Sequence, residues 1–235
     1  MKITLQDLIN HAKSSDIKWL YEIKTVSWLK GLLNNKLDEV TIRFLWNRND
    51  IHWDIVRYQK IPSDMVKDLF EDYMGMRKKK GVNAATFKQA IVSQNITPEI
   101  VKLTEDVNNF PNEAYFMLWS TIPEKMVKMA DITTFINNIS DVTYKDFGFY
   151  VKESLIALVR EVPETMVTVM EKVLVSKDLC EEIIPTLGKL VFFDDETIEL
   201  IRQTVGVMTF YTFMEHLISR DHCSVSAKAK YLLSK

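Results

Sequence analysis

A chain of 235 residues, 47% hydrophobic and 26% charged, can bury a sizeable core and has the make-up of an ordinary folded protein, not a disordered one. Its uninterrupted apolar runs, such as Leu190-Val191-Phe192-Phe193, are short and none approaches the roughly 18 to 20 residues a membrane span needs, so no membrane partner is expected. The net charge of −2 is split unevenly: residues 1–95 carry 16 Lys and Arg against 11 Asp and Glu, and the remainder 14 against 21. That split gives the halves different potentials, yet it is too small to demand a polyanionic partner.

Helical signals run along the whole chain. Thr4 with Asp7 reads as a capping pair ahead of Leu5, Leu8, Ile9 and Ala12. Ser15-Asp16 caps a second segment through Ile17, Leu20, Tyr21 and Trp28 towards Gly31. Leu37, Val40, Thr41, Phe44 and Leu45 match the helical i, i+3, i+4 pattern, and Asn47-Arg48-Asn49-Asp50 reads as a stop and a new cap. Met65, Val66, Leu69, Phe70, Tyr73 and Met74 form the next stripe, ended between Gly75 and Gly81. Thr97-Pro98-Glu99 and Thr121-Ile122-Pro123-Glu124 each predict a threonine cap with proline in the first turn, where its missing N–H costs nothing. Strand signals are scarce; Val191-Phe192-Phe193 is the one ambiguous stretch and is read as a helix end. The expected fold is all-α, an irregular helical array or an α-solenoid-like stack of helical hairpins. One domain over 1–235 is expected, with a soft boundary near 75–83.

One phrase recurs. Ile61-Pro62-Ser63-Asp64-Met65-Val66-Lys67 matches Ile122-Pro123-Glu124-Lys125-Met126-Val127-Lys128, and Val162-Pro163-Glu164-Thr165-Met166-Val167 is a third copy. Looser copies begin at Ile51 and Ile96. An apolar pair lies upstream: Leu45-Trp46, Ile91-Val92, Leu118-Trp119 or Leu158-Val159. The unit reads as a helix end, a short break, an aliphatic anchor, often proline, and a new helix whose Met-Val packs on its predecessor. The gaps between copies are 10, 35, 26 and 40 residues, so no fixed period is kept. On this phrase, residues 40–220 resemble a degenerate HEAT-like helical repeat array; an irregular helical domain, in which Ile-Pro-x-x-Met-Val merely starts helices well, is the competing reading. The resemblance implies a scaffold with one face open to a partner and implies no chemistry. In its many Met, Lys and Asn and few Gly, the chain also looks like accessory proteins of large tailed phages.

Catalytic phrases are missing: no Gly-rich phosphate loop, Gly-x-Ser-x-Gly elbow, His-Glu-x-x-His or Cys-x-x-Cys occurs. Glu215, His216, Asp221, His222 and Cys223 include metal-ligand types, but adjacent His222-Cys223 cannot readily close a tetrahedral site, and Cys180 is remote. The cluster is read as a helix end followed by a polar loop, with no metal and no cofactor. Glu181-Glu182 and Asp194-Asp195-Glu196 are not read as acid–base pairs, since sequence neighbours point apart, and Asp194-Asp195-Glu196 sits where a helix N-terminus favours capping carboxylates. Arg77-Lys78-Lys79-Lys80 is the densest basic run. It is a solvated helix end in the leading reading and, with Arg48 and Arg57, a phosphate grip in the alternative. Trp19, Trp28, Trp46, Trp53 and Trp119 are expected in the core or between helices.

With two cysteines and a start, Met1-Lys2-Ile3-Thr4-Leu5-Gln6-Asp7, that lacks an apolar signal core, the cytoplasm is the expected location, the host's if the chain is viral. The expected function is a non-enzymatic helical scaffold or adaptor that binds a protein partner through an inter-helix groove. The alternative is nucleic-acid binding by the basic N-terminal half.

Overall fold

The computed structural model describes residues 33–34, 36–46, 52–75, 84–105, 112–139 and 141–233. Among the described residues fourteen α-helices account for most of the chain, and the sole β feature is an isolated parallel bridge between Phe193 and Cys223. The fold is all-α, an irregular helical array. The chain divides into two compact units, 1–102 and 103–235. The boundary region at 76–83, the first two helices read from the sequence and the stop at Asn47–Asp50 lie outside the described residues.

In the first unit α1 (Glu39–Trp46) packs on α2 (His52–Tyr58), and α2 on α4 (Ala84–Ser93); α3 is Ser63–Gly75 and α5, Pro98–Glu105, carries the unit boundary. The stripe on α3 is buried from Met65 to Tyr73, and Phe70 and Tyr73 both close on Phe87 of α4 at ring distances of 4.8 and 3.8 Å. Around α1 the sequence pattern finds Leu37, Thr41 and Leu45 on the buried face but also takes in Val40 and Phe44 and misses Ile42. Thr41, Ile42 and Leu45 are buried, whereas Val40 is 66% exposed and Phe44 half-buried. The Asp38 carboxylate accepts from the Thr41 N–H at 2.8 Å, so the helix starts at Glu39 and Leu37 lies ahead of it. Arg43 pairs with Asp64 of α3 at 2.7 Å on the opposite side, an exposed bridge that contributes little by itself.

The second unit is built round α6 (Glu113–Thr121), whose residues from Ala114 to Trp119 are all buried. A helix apolar on every side has to be covered on every side. Its main neighbour is α9 (Asp141–Glu161); α9 packs on α11 (Lys177–Leu187), and α11 on α13 (Val207–Arg220). Around this row lie α7 (Pro123–Met129), α8 (Ile132–Asn138), α10 (Met166–Leu174), α12 (Asp195–Thr204) and α14 (Val225–Leu233). The long α9 is broken at Phe147, where φ −131 and ψ 20 leave the helical region. Trp119 stacks on Phe135 of α8 at 4.3 Å, which makes it core, as its helical phase implied.

The recurring phrase marks sharp helix–helix junctions. Ile122 (φ −135, ψ 50) ends α6 and begins α7, donating its N–H to Leu118 at 2.9 Å and accepting from Met126 at 3.0 Å. Val162 has almost the same backbone (φ −136, ψ 70), with its N–H on Leu158 at 2.8 Å. Proline follows each at the first helical position, as expected. Thr121, read as a cap, is instead the last residue of α6, and α7 has no side-chain cap at its start. The third copy differs inside the helix. A 3₁₀ turn over Pro163–Thr165 rotates the chain, so Thr165 is buried and Met166 only half-buried, while Met65 and Met126 are fully buried.

Candidate functional site

The last helices build a concave apolar feature among α12, α13 and α14, and each helix is held there by a specific cap. Asp194 accepts from the Thr197 N–H at 2.7 Å and starts α12, which is the capping role read from the sequence. Glu181, on α11, receives the Gly206 N–H and the Thr209 hydroxyl and so caps α13 from a neighbouring helix. Those two donors, the Thr209 hydroxyl foremost, hold its carboxyl below the usual range. Ser224 accepts from the Ala227 N–H at 2.9 Å at the start of α14 and donates to Asp195, tying α14 to α12. Asp221, at φ 62, ends α13 in the left-handed region that a short polar side chain tolerates, and it pairs with Lys228.

Between these helices is a groove of about 240 Å³. Its floor is apolar: Ile198 of α12, Phe210 and Met214 of α13, Ala227 and Tyr231 of α14. Its rim is charged: Asp195, Glu199, Arg202 and Lys230, two of each sign. Arg202 grips Glu199 at 2.6 Å, holding that carboxyl low and raising its own guanidinium. The Ser224 hydroxyl does the same for Asp195. The same three helices leave large apolar side chains in solvent: Leu200, Val207, Met208, Val225, Leu232 and Leu233.

No family model, no curated protein and no solved structure matches the chain.

The ligand-type residues near the C-terminus do not converge. His216 Nδ1 lies 2.7 Å from the Pro185 carbonyl and His222 Nδ1 3.2 Å from that of Gly188, so each ring closes an open carbonyl at the end of α11. A carbonyl acceptor requires the hydrogen on Nδ1 in both rings. Cys223 is buried beside the bridge to Phe193, whose N–H donates to His222 at 2.8 Å; the stretch read as a helix end thus finishes in an extended residue. Burial pushes the Cys180 thiol up to about 12 and the Cys223 thiol upward as well, which makes both poor nucleophiles at neutral pH. No group of three or more His, Cys, Asp or Glu that could hold a metal occurs among the described residues. Glu182 is engaged with Tyr144 and, at 3.1 Å, with Lys152.

Of the basic candidates, Arg57 is exposed in the last turn of α2; Arg48 and Arg77, Lys78, Lys79 and Lys80 lie outside the described residues. No described helix is long and apolar enough to cross a membrane. Sequence reasoning expected an inter-helix groove but did not place it. Its floor residues are ordinary core-facing positions of three helices, and nothing local marks them as joint walls of one concavity.

Proposed function

We propose that the chain is a non-enzymatic, HEAT-like helical scaffold or adaptor that seats a protein partner in the groove among α12, α13 and α14. What supports this reading is the pairing of an apolar floor with a charge-balanced rim on helices that also expose Leu200, Val207, Met208 and Leu232. A partner's aliphatic or aromatic anchor buried on Phe210, Met214 and Tyr231 contributes about 1.5 to 3 kcal/mol. The rim adds little net charge, so it selects a partner by the placement of paired charges and not by overall sign.

The test is capture of partners from the native cells by the wild-type chain and by a Phe210→Ala/Lys230→Glu variant, with and without nuclease, read by mass spectrometry. Phe210 is half-buried and Lys230 exposed, so the variant keeps its helical circular dichroism. The expected result is a nuclease-resistant protein that binds wild type and not the double variant. Retention of the same partner, or recovery of nucleic acid alone, refutes the reading. In the second case changing Arg77, Lys78, Lys79 and Lys80 to Gln should flatten the salt dependence of binding, by about 0.7 to 0.9 in slope for each phosphate no longer neutralised.

A further inference from the structure

Gln59 and Gln94 are buried in the first unit, 7% and 2% exposed, and neither belongs to a motif read from the sequence. Burying a primary amide is unfavourable unless both of its ends are paired. Both ends of each are. Gln94 Oε1 accepts from the Ile61 N–H at 3.0 Å, and its Nε2 donates to the carbonyls of Val56 at 2.7 Å and Gln59 at 2.8 Å. Gln59 Oε1 accepts from the Leu37 N–H at 3.1 Å, and its Nε2 donates to the Leu33 carbonyl.

The two glutamines occupy the same place in the architecture. Each is the first residue after a helix, Gln59 after α2 and Gln94 after α4, with its own N–H bonded four residues back, to Ile55 at 2.8 Å and Ala90 at 2.9 Å. Each Oε1 meets the N–H of a buried aliphatic residue two positions ahead of a helix, Leu37 before α1 and Ile61 before α3. The reason lies in the break between helices. Gln59 and Lys60 separate α2 from Ile61, so the Ile61 N–H has left the helical ladder while its side chain is buried. An N–H kept from water there needs a partner from elsewhere. At Ile122 and Val162 the preceding helix runs straight into the anchor and supplies the carbonyl itself. Two residues before those anchors stand Ser120, bonded to Met117 of its own helix, and Arg160, paired with Glu161.

We infer that Gln59 and Gln94 form a two-rung ladder that ties the Leu33 carbonyl and three inter-helix segments, 36–38, 59–62 and 94–97, into one cooperative edge. The rungs are linked in one direction. Gln94 holds the backbone carbonyl of Gln59, the residue that carries the other rung, whereas the Gln59 amide reaches back along the chain to Leu33 and Leu37.

Amide hydrogen exchange on the full chain tests this, with Gln94→Met and Gln59→Met, which keep side-chain length and remove the amide. Gln94→Asn, one methylene short, serves where the methionine variant does not fold. Gln94→Met should speed exchange at both Ile61 and Leu37 by about tenfold or more, and Gln59→Met at Leu37 with Ile61 unchanged. Amides of the second unit, such as Ile122 and Phe193, should not respond. An unaltered Ile61 amide in the Gln94 variants, a Leu37 amide indifferent to Gln94, or a rise shared equally by both units each overturns the ladder.

Discussion

Replacing Gly188 with alanine sets two known effects against each other, and the structure decides between them. Gly188 closes α11 with φ −58 and ψ −20, angles that any L-residue adopts, so helix propensity alone favours alanine by up to about 1 kcal/mol. A Cβ at that position, however, stands 2.8 Å from Phe213 Cδ2, 3.2 Å from its Cε2 and 3.3 Å from its backbone carbonyl. The ring cannot swing aside. Phe213 is fully buried and set edge-on to Phe193 at 5.1 Å, and Phe193 is pinned by its N–H bond to His222. Overpacking of this kind costs about 1 to 3 kcal/mol, so the net expectation is a loss of about 1 to 2 kcal/mol. Urea denaturation of wild type and Gly188→Ala, with the slope unchanged, reads this directly. Adding Phe213→Leu should recover part of the loss, because the two substitutions meet at the same point of packing. A Gly188→Ala protein as stable as wild type, or more so, would show that α11 and α13 do not pack together as described.

Met65→Ala and Met126→Ala should each destabilise by about 2 to 5 kcal/mol, and Met166→Ala by about 1 kcal/mol or less, since the 3₁₀ turn leaves Met166 half in solvent; three equal losses in chemical denaturation would contradict that turn. Asn112 accepts from the N–H groups of Ala114 and Tyr115 at the start of α6, so Asn112→Ala should cost about 1 kcal/mol, and a melting point unmoved by it would remove the cap. The Glu181 carboxyl titrates below its unfolded value, so its contribution is present above an unfolded pKa of about 4.3 and is lost as pH falls through the folded value. Glu181→Gln should therefore lower stability at neutral pH and lose less than wild type on acidification below about pH 4, and parallel acid limbs for the two proteins would refute the cross-helix cap.

Much of the local structure is legible in the chain alone. The stripe from Met65 to Tyr73, the Asp194 cap and the proline junctions at Ile122 and Val162 all rest on interactions within four residues, and these are written in the order of the chain. Even so, around α1 the local pattern places Leu37, Thr41 and Leu45 correctly but takes in the exposed Val40 and misses the buried Ile42, because the buried face is set by what packs against it. It also puts a cap at Thr121, inside a helix that runs further than its composition suggests. What only the tertiary structure decided is everything joined across tens of residues: Gln94 on Ile61, Glu181 on Gly206, His216 on Pro185, Gly188 against Phe213, and the groove floor shared by Ile198, Met214 and Tyr231. An amide, a carboxylate or a glycine carries no mark of its distant partner. Its role appears when packing brings that partner within hydrogen-bond or van der Waals reach and shuts water out, since burial is what makes an unpaired group costly and a paired one decisive.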